Sequence, residues 1–114
     1  MSKCLFCDIV EGKIKADIIH RDDDLVAFRD INPQAPVHFL VVPKKHLATT
    51  NDLDTESAKV IGKMFIAAKT LASKAGISEK GYRLVMNCNA EAGQSVFHIH
   101  LHVLGGRRMN WPPG

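Results

Sequence analysis

Long apolar runs are missing from this 114-residue chain: the longest, residues 39–43, spans about five residues, against the roughly 18 a helix needs to cross a bilayer. No membrane partner is expected. Basic runs are missing as well, since the net charge of +3 sits in scattered pairs such as Lys44-Lys45 and Arg107-Arg108. So weak a positive field suits a small phosphate-bearing ligand better than duplex nucleic acid, and no nucleic-acid partner is expected. Cysteine is scarce and its count, 3, is odd. The opening Met1-Ser2-Lys3-Cys4-Leu5-Phe6-Cys7-Asp8 has no apolar stretch of the secretory kind. Together these argue against a disulfide framework and for a cytoplasmic protein with reduced thiols, leaving metal binding open for Cys4 and Cys7. Repeats, low-complexity tracts and linkers are also lacking, so residues 1–114 read as a single domain.

What is present is a strand-rich pattern around one long helix. A short helical turn is expected over residues 7–12. The apolar runs Ile18-Ile19-His20 and Leu25-Val26-Ala27-Phe28 flank Asp22-Asp23-Asp24, which reads as a hairpin with a short loop. Pro33 and Pro36 make the following stretch irregular, because proline removes donors and pushes the residue before it away from helix. A third strand, His38 to Val42, stops at Pro43. Ala58, Ile61, Met64, Phe65, Ala68, Leu71, Ala72 and Ala75 then recur at helical spacing, predicting a helix over residues 55–75 with Asp54 as N-cap and Gly76 as left-handed cap. Strands follow over residues 82–86 and 97–104. Strands, helix, strands in that order favour an α+β domain with a mainly antiparallel sheet of five strands.

In Phe97-His98-Ile99-His100-Leu101-His102-Val103, apolar and imidazole residues alternate strictly. A strand sends successive side chains to opposite faces, so Phe97, Ile99, Leu101 and Val103 are expected to pack inward while the three histidines share the other face. Three consecutive outward imidazoles are not a packing requirement, since Thr, Lys or Glu would serve as well. Two chemistries remain open: two histidines with a third ligand could hold a catalytic metal, or one neutral imidazole could be a nucleophile while its neighbour is a donor. Gly93-Gln94-Ser95 before the strand offers backbone amides and a hydroxyl to an anion.

Taken as one unit, residues 93–104 resemble the His-x-His-x-His signature of the histidine-triad (HIT) superfamily. The similarity extends to residues 28–36 with His38, to Pro43-Lys44-Lys45-His46, to Gly81-Tyr82-Arg83, to Asn87 and to Trp111-Pro112-Pro113-Gly114, which look like the Hint branch. Transferase relatives carry Gln at the third triad position, so His102 points to a hydrolase.

The resemblance implies a HIT-like fold with one long and one short helix, its sheet extended across a homodimer. It also implies cleavage of purine nucleoside 5'-phosphoramidates, AMP or GMP amides, through a covalent nucleotidyl-histidine intermediate with no catalytic cofactor. His100 would be the nucleophile, with His98, His102, His38 and Ser95 assisting. Phe6, Ile9, Phe28 and Ile31 correspond to an apolar clamp on the base, Asp30 to the ribose contact, and Asn87, Gly93, Gln94, Ser95, His100 and His102 to sugar and phosphate contacts. A dinucleoside polyphosphate hydrolase, or a nucleotide-binding regulatory or scaffold protein, would carry the same pattern.

By itself Cys4-x-x-Cys7 is half of many zinc sites, and equally two buried thiols. The resemblance adds that His46 and His98 stand where relatives complete a structural zinc centre. Cys88 has no assigned role.

Overall fold

The computed structural model describes residues 4–114 and contains one five-stranded antiparallel sheet, flanked by two helices, in an α+β arrangement. In chain order the elements are α1 (Leu5–Val10), β1 (Ile18–Arg21), β2 (Leu25–Arg29), β3 (Val37–Pro43), α2 (Ala58–Lys74), β4 (Tyr82–Val85) and β5 (Leu101–Gly105), with single 3-10 turns at Thr50–Asp52 and Ala90–Ala92. The strand order is β1-β2-β3-β5-β4, so the last strand of the chain lies between β3 and β4. Among the described residues, no helix is long and apolar enough to cross a membrane.

The predicted hairpin forms because Asp22 closes its turn: Oδ1 accepts from the amides of Asp24 and Leu25, both at 2.8 Å. An ion pair from Lys63 Nζ to Asp24 Oδ2 at 2.7 Å ties the turn to α2. Strand β2 is buried on both faces, which explains its unbroken apolar run. Leu25 and Ala27 join Phe39, Val41, Leu101, Val103 and the α2 residues Met64, Ala68, Leu71 and Ala72 in one core. Val26, Phe28, Leu40 and Val42 face the other way and pack with Phe6 and Ile9 of α1. Each fully buried aliphatic or aromatic side chain contributes about 1.5–3 kcal/mol.

Helix α2 begins three residues later than its periodicity predicts. Asp54 caps the turn ahead of it: the Ser57 amide donates to Asp54 Oδ1 at 2.9 Å and the Asp54 amide donates to Ser57 Oγ at 2.8 Å. At the other end Gly76, at φ +78°, takes the left-handed position. Its amide donates to the Ser73 carbonyl while Ile77 donates to that of Ala72, a Schellman closure. The stripe is narrower than the spacing predicts, for Ala58, Phe65 and Ala75 are exposed. They fall at the margins of the face that Met64, Ala68 and Leu71 turn to the sheet.

The largest departure is at β5, which starts at Leu101 rather than residue 97. Pairing with β3 ends at Val41 opposite Leu101, because the next ladder groups are engaged elsewhere. The Pro43 carbonyl is bonded to His98 Nε2 at 2.7 Å, and the Ile99 amide donates to the Leu47 carbonyl at 2.7 Å. Phe97, expected inside, is 46% exposed. Ile99, Leu101 and Val103 do enter the core.

Candidate active site

Two groups of imidazoles occupy the α1 side of the sheet. On β3 and β5, Leu40 stands opposite His102 and His38 opposite Leu104. His38 and His102 are therefore diagonal neighbours on one face, close enough for their side chains to meet. Their rings touch, with His38 Nε2 and His102 Nδ1 2.9 Å apart.

The hydrogen bonds settle which nitrogens carry protons. The Gln34 amide can only donate, and it does so to His38 Nδ1 at 3.0 Å. A neutral His38 therefore holds its proton on Nε2 and donates it to His102 Nδ1. His102 in turn carries its proton on Nε2, the nitrogen remote from His38. Asp30 Oδ2 lies 3.4 Å from His38 Nε2, and Asp30 Oδ1 accepts from the Asn32 amide at 2.8 Å. Burial lowers the pKa of His38 against the opposing pull of Asp30. His102 is held down to about 4 by burial, then by the neighbouring His100 and His38.

His100 is oriented by its own backbone: its Nδ1 donates to the His98 carbonyl at 2.7 Å. Its other nitrogen, Nε2, thus keeps a lone pair, and burial holds the ring below the usual imidazole pKa. The edge of Phe6 packs against it, with ring centroids 4.9 Å apart and planes at 89°. The His100 and His102 rings lie 5.0 Å apart.

Both rings line a cleft of about 450 Å³, within the range that takes a small organic ligand. Phe6, Ile9, Phe28 and Ile31 supply apolar wall, and Asp30, Asn87, Gly93 and Ser95 bring polar groups to it. Ile31, 97% exposed, sits at the mouth. Leu5, Ile14, Lys15, Ala16, Leu40 and Val96 also line the cleft; nothing in their spacing marks them. The Gln34 amide was equally unreadable, because a main-chain donor leaves no signature in side-chain identity. Another depression, of about 420 Å³ between the hairpin and α2, gathers His20, three aspartates and two lysines with no ring pair like that of His38 and His102.

Three of the expected catalytic and nucleotide-binding residues do not line the cleft: His38, which meets it only through His102, Gln94 and His98. Gln94 is buried, and its side chain bonds main-chain groups of Ala48, Asn89 and Val96. His98 is fully buried and its ring is engaged outside the cleft. Its Nδ1 lies 3.3 Å from Cys4 Sγ, 3.4 Å from Cys7 Sγ and 3.2 Å from His46 Nδ1. The His46 ring is also 3.3 Å from Cys7 Sγ. Because His98 Nε2 donates to Pro43, its Nδ1 presents a lone pair into that group. Two sulfurs and two ring nitrogens converging this way, with one imidazole fixed by a carbonyl behind it, fit a metal of the zinc type.

Comparison with known proteins agrees with this geometry. A family profile described as HIT domain matches residues 11–109. The chain is 47% identical over 103 residues to the purine nucleoside phosphoramidase of Escherichia coli K12, covering 90% of this chain and 87% of that protein. It is 46% identical over 110 residues to an uncharacterized HIT-like protein of Synechocystis, covering 96% of each. Among solved structures, a HIT family hydrolase from Legionella pneumophila superposes with a TM-score of 0.97 at 54% identity, over 98% of this chain and all of that one. One from Clostridium thermocellum gives 0.93 at 42%, over 96% of each.

Proposed function

The chain belongs to the HIT domain family, and on that footing we propose that it hydrolyses purine nucleoside 5'-phosphoramidates to the nucleoside monophosphate and the amine. The observation that carries this reading is the His100 ring, its Nδ1–H committed to the His98 carbonyl and its Nε2 lone pair left on the wall of a nucleotide-sized cleft.

In the first step Nε2 of His100 attacks the α-phosphorus and the phosphorus–nitrogen bond breaks, leaving the nucleotide on the imidazole. The departing amine takes a proton from Nε2 of His102, the ring entering this step as its imidazolium beside the substrate's phosphate anion and leaving it neutral. In the second step water attacks the phosphorus and returns a proton to His102, and the histidine–phosphorus bond breaks. Ser95, Asn87 and the Gly93 main chain, which line the same cleft, would meet the charge that develops on the phosphoryl oxygens. Asp30 fits the ribose hydroxyls, and the Phe6, Ile9, Phe28 and Ile31 wall fits the base. Before substrate binds, His38 keeps His102 in the Nε2–H tautomer. No step requires a catalytic cofactor.

Cys4, Cys7, His46 and His98 would hold a structural zinc ion, which supplies no chemistry to the reaction and pins the start of α1 to the sheet. Residues 1–114 would act as one domain in the cytoplasm, two copies pairing through β4, which forms one edge of the sheet.

The test is turnover of adenosine 5'-phosphoramidate set beside a diadenosine polyphosphate, with intact-mass detection of a nucleotidyl adduct on the peptide holding His100. Preference for the amide together with an adduct supports the proposal. Preference for the polyphosphate transfers the assignment to a dinucleotide hydrolase, and absence of both activities leaves a nucleotide-binding role. Size-exclusion elution as a monomer at micromolar concentration would remove the dimer.

A further inference from the structure

The loop between β4 and the histidine segment carries Asn87, Gly93 and Ser95 to the cleft, yet it has little regular structure of its own. Its path bends sharply, with Asn89 at φ +70° and Gly93 at φ +96°. Gln94 is 5% exposed and joins three separate points of the backbone. Its Oε1 accepts from the Asn89 amide at 2.7 Å, and its Nε2 donates to the Ala48 carbonyl at 2.8 Å and the Val96 carbonyl at 3.1 Å. The Gln94 amide closes the same ring by donating to the Asn89 carbonyl at 3.1 Å.

One acceptor and two donors on a planar group of this length are what glutamine offers. Glutamate offers acceptors alone and buries a charge, and methionine offers neither. The anchor it grips is well placed. Ala48 follows His46 and Leu47, and the Leu47 carbonyl accepts from the Ile99 amide at 2.7 Å. Residues 47 and 48 thus hold the chain on both sides of His98, at Gln94 and at Ile99.

We propose that Gln94 is a positioning residue for the hydrolysis assigned above, on which this inference rests: it sets the distance between the phosphate-facing loop and the His100 ring, and touches no substrate itself. A loop displaced by about 1 Å loses contacts that form fully only as charge builds on the phosphoryl oxygens, a loss of the order of 100-fold in rate.

The experiment compares wild type with Gln94→Met, Gln94→Glu, Ser95→Ala, the Gln94→Met/Ser95→Ala double variant and Leu71→Ala, all below their unfolding transitions. Leu71→Ala removes a core contact on the opposite sheet face and serves as the stability control. For Gln94→Met, kcat should fall about 10- to 100-fold with KM changed less than about threefold. The Asn89 amide should lose hydrogen-exchange protection. Combined with Ser95→Ala, the substitution should cost at least about fivefold less than it does alone. Gln94→Glu, which keeps the Asn89 contact and loses both donors, should fall between wild type and Gln94→Met, and supplies the same readouts if the methionine variant does not fold.

Full additivity with Ser95→Ala, unchanged Asn89 protection, or an equal loss of kcat in Leu71→Ala would each overturn the proposal. If wild type turns over no phosphoramidate, the functional assignment falls by itself. Asn89 exchange and AMP affinity then decide the question, and wild-type values for both in Gln94→Met would overturn the role of Gln94.

Discussion

The His100 ring donates to the main-chain carbonyl of His98 at 2.7 Å, so the imidazole facing the cleft is oriented by the backbone of the imidazole facing the thiols. Two adjacent sites that differ in chemistry are thereby joined through one carbonyl group.

Replacing the nucleophile should be decisive. His100→Ala is expected to lower phosphoramidate turnover by at least about a thousandfold, as loss of a covalent-catalysis residue does, and to abolish the nucleotidyl adduct. His102→Ala keeps the attacking nitrogen and removes the donor, so the adduct should still form, slowly, on His100. Rapid turnover by His100→Ala would refute the mechanism.

Acid should unfold the protein partly through His102. The folded state keeps this ring neutral down to about 4, whereas an unfolded histidine takes its proton near 6.5. Between those values the unfolded chain binds more protons, so this residue's contribution is complete above about pH 6.5 and is lost as pH falls toward 4. His38 acts in the same direction. Denaturant titrations from pH 7 to 4.5 should show a shallower decline for His102→Gln than for wild type; parallel curves would contradict the assignment.

Chelation should act on stability. Stripping metal from the wild-type protein is expected to lower Tm by at least about 5 °C, roughly 1 kcal/mol for a domain of this size, with zinc restoring it. Cys7→Ser should start from the lower Tm and respond to neither treatment. An unchanged Tm in chelated wild type would show that the four residues hold no stabilising ion.

A fourth test concerns the end of β5. A Cβ on Gly105 would lie 2.7 Å from Ile77 Cδ1 and 3.0 Å from its Cβ, so the whole isoleucine side chain must move. Gly105→Ala should cost about 1–3 kcal/mol, and Ile77→Ala in the same chain should return part of that loss. Thermal melts of the three variants give the coupling directly, and strict additivity would rule out the clash.

Much of the scaffold was legible because it is encoded locally. Asp22-Asp23-Asp24 between two apolar runs predicts the hairpin, and Gly76 marks the end of α2 correctly. Alternation over residues 98–103 predicts that Ile99, Leu101 and Val103 are buried, as they are. Alternation reports only which face a side chain takes, though, and not what waits across from it. His98 therefore looked like His100 and His102, while the thiols opposite it make it a different kind of residue. The ladder also ends at Leu101 because Pro43 and Leu47 offer their carbonyls to His98 and Ile99, contacts no periodicity can register. Asp30, His38 and His46 reach their two sites over long stretches of chain, and family resemblance, not spacing, pointed to them, whereas the spacing of Cys4 and Cys7 marked them as half of a metal site. Phe65 shows the opposite limit: its spacing is right, yet it falls just outside the strip of α2 that the sheet covers.

The strand order β1-β2-β3-β5-β4 has a consequence for biosynthesis. Strand β5 fills the gap between β3 and β4, so β3 lacks its second partner and β4 its only one until residue 105 has left the ribosome. A nascent chain already holding α2 and most of the apolar residues must wait with two unsatisfied strand edges exposed. The catalytic imidazoles arrive with the piece that ends this vulnerability, so a chain acquires its chemistry and its protection from aggregation in the same moment.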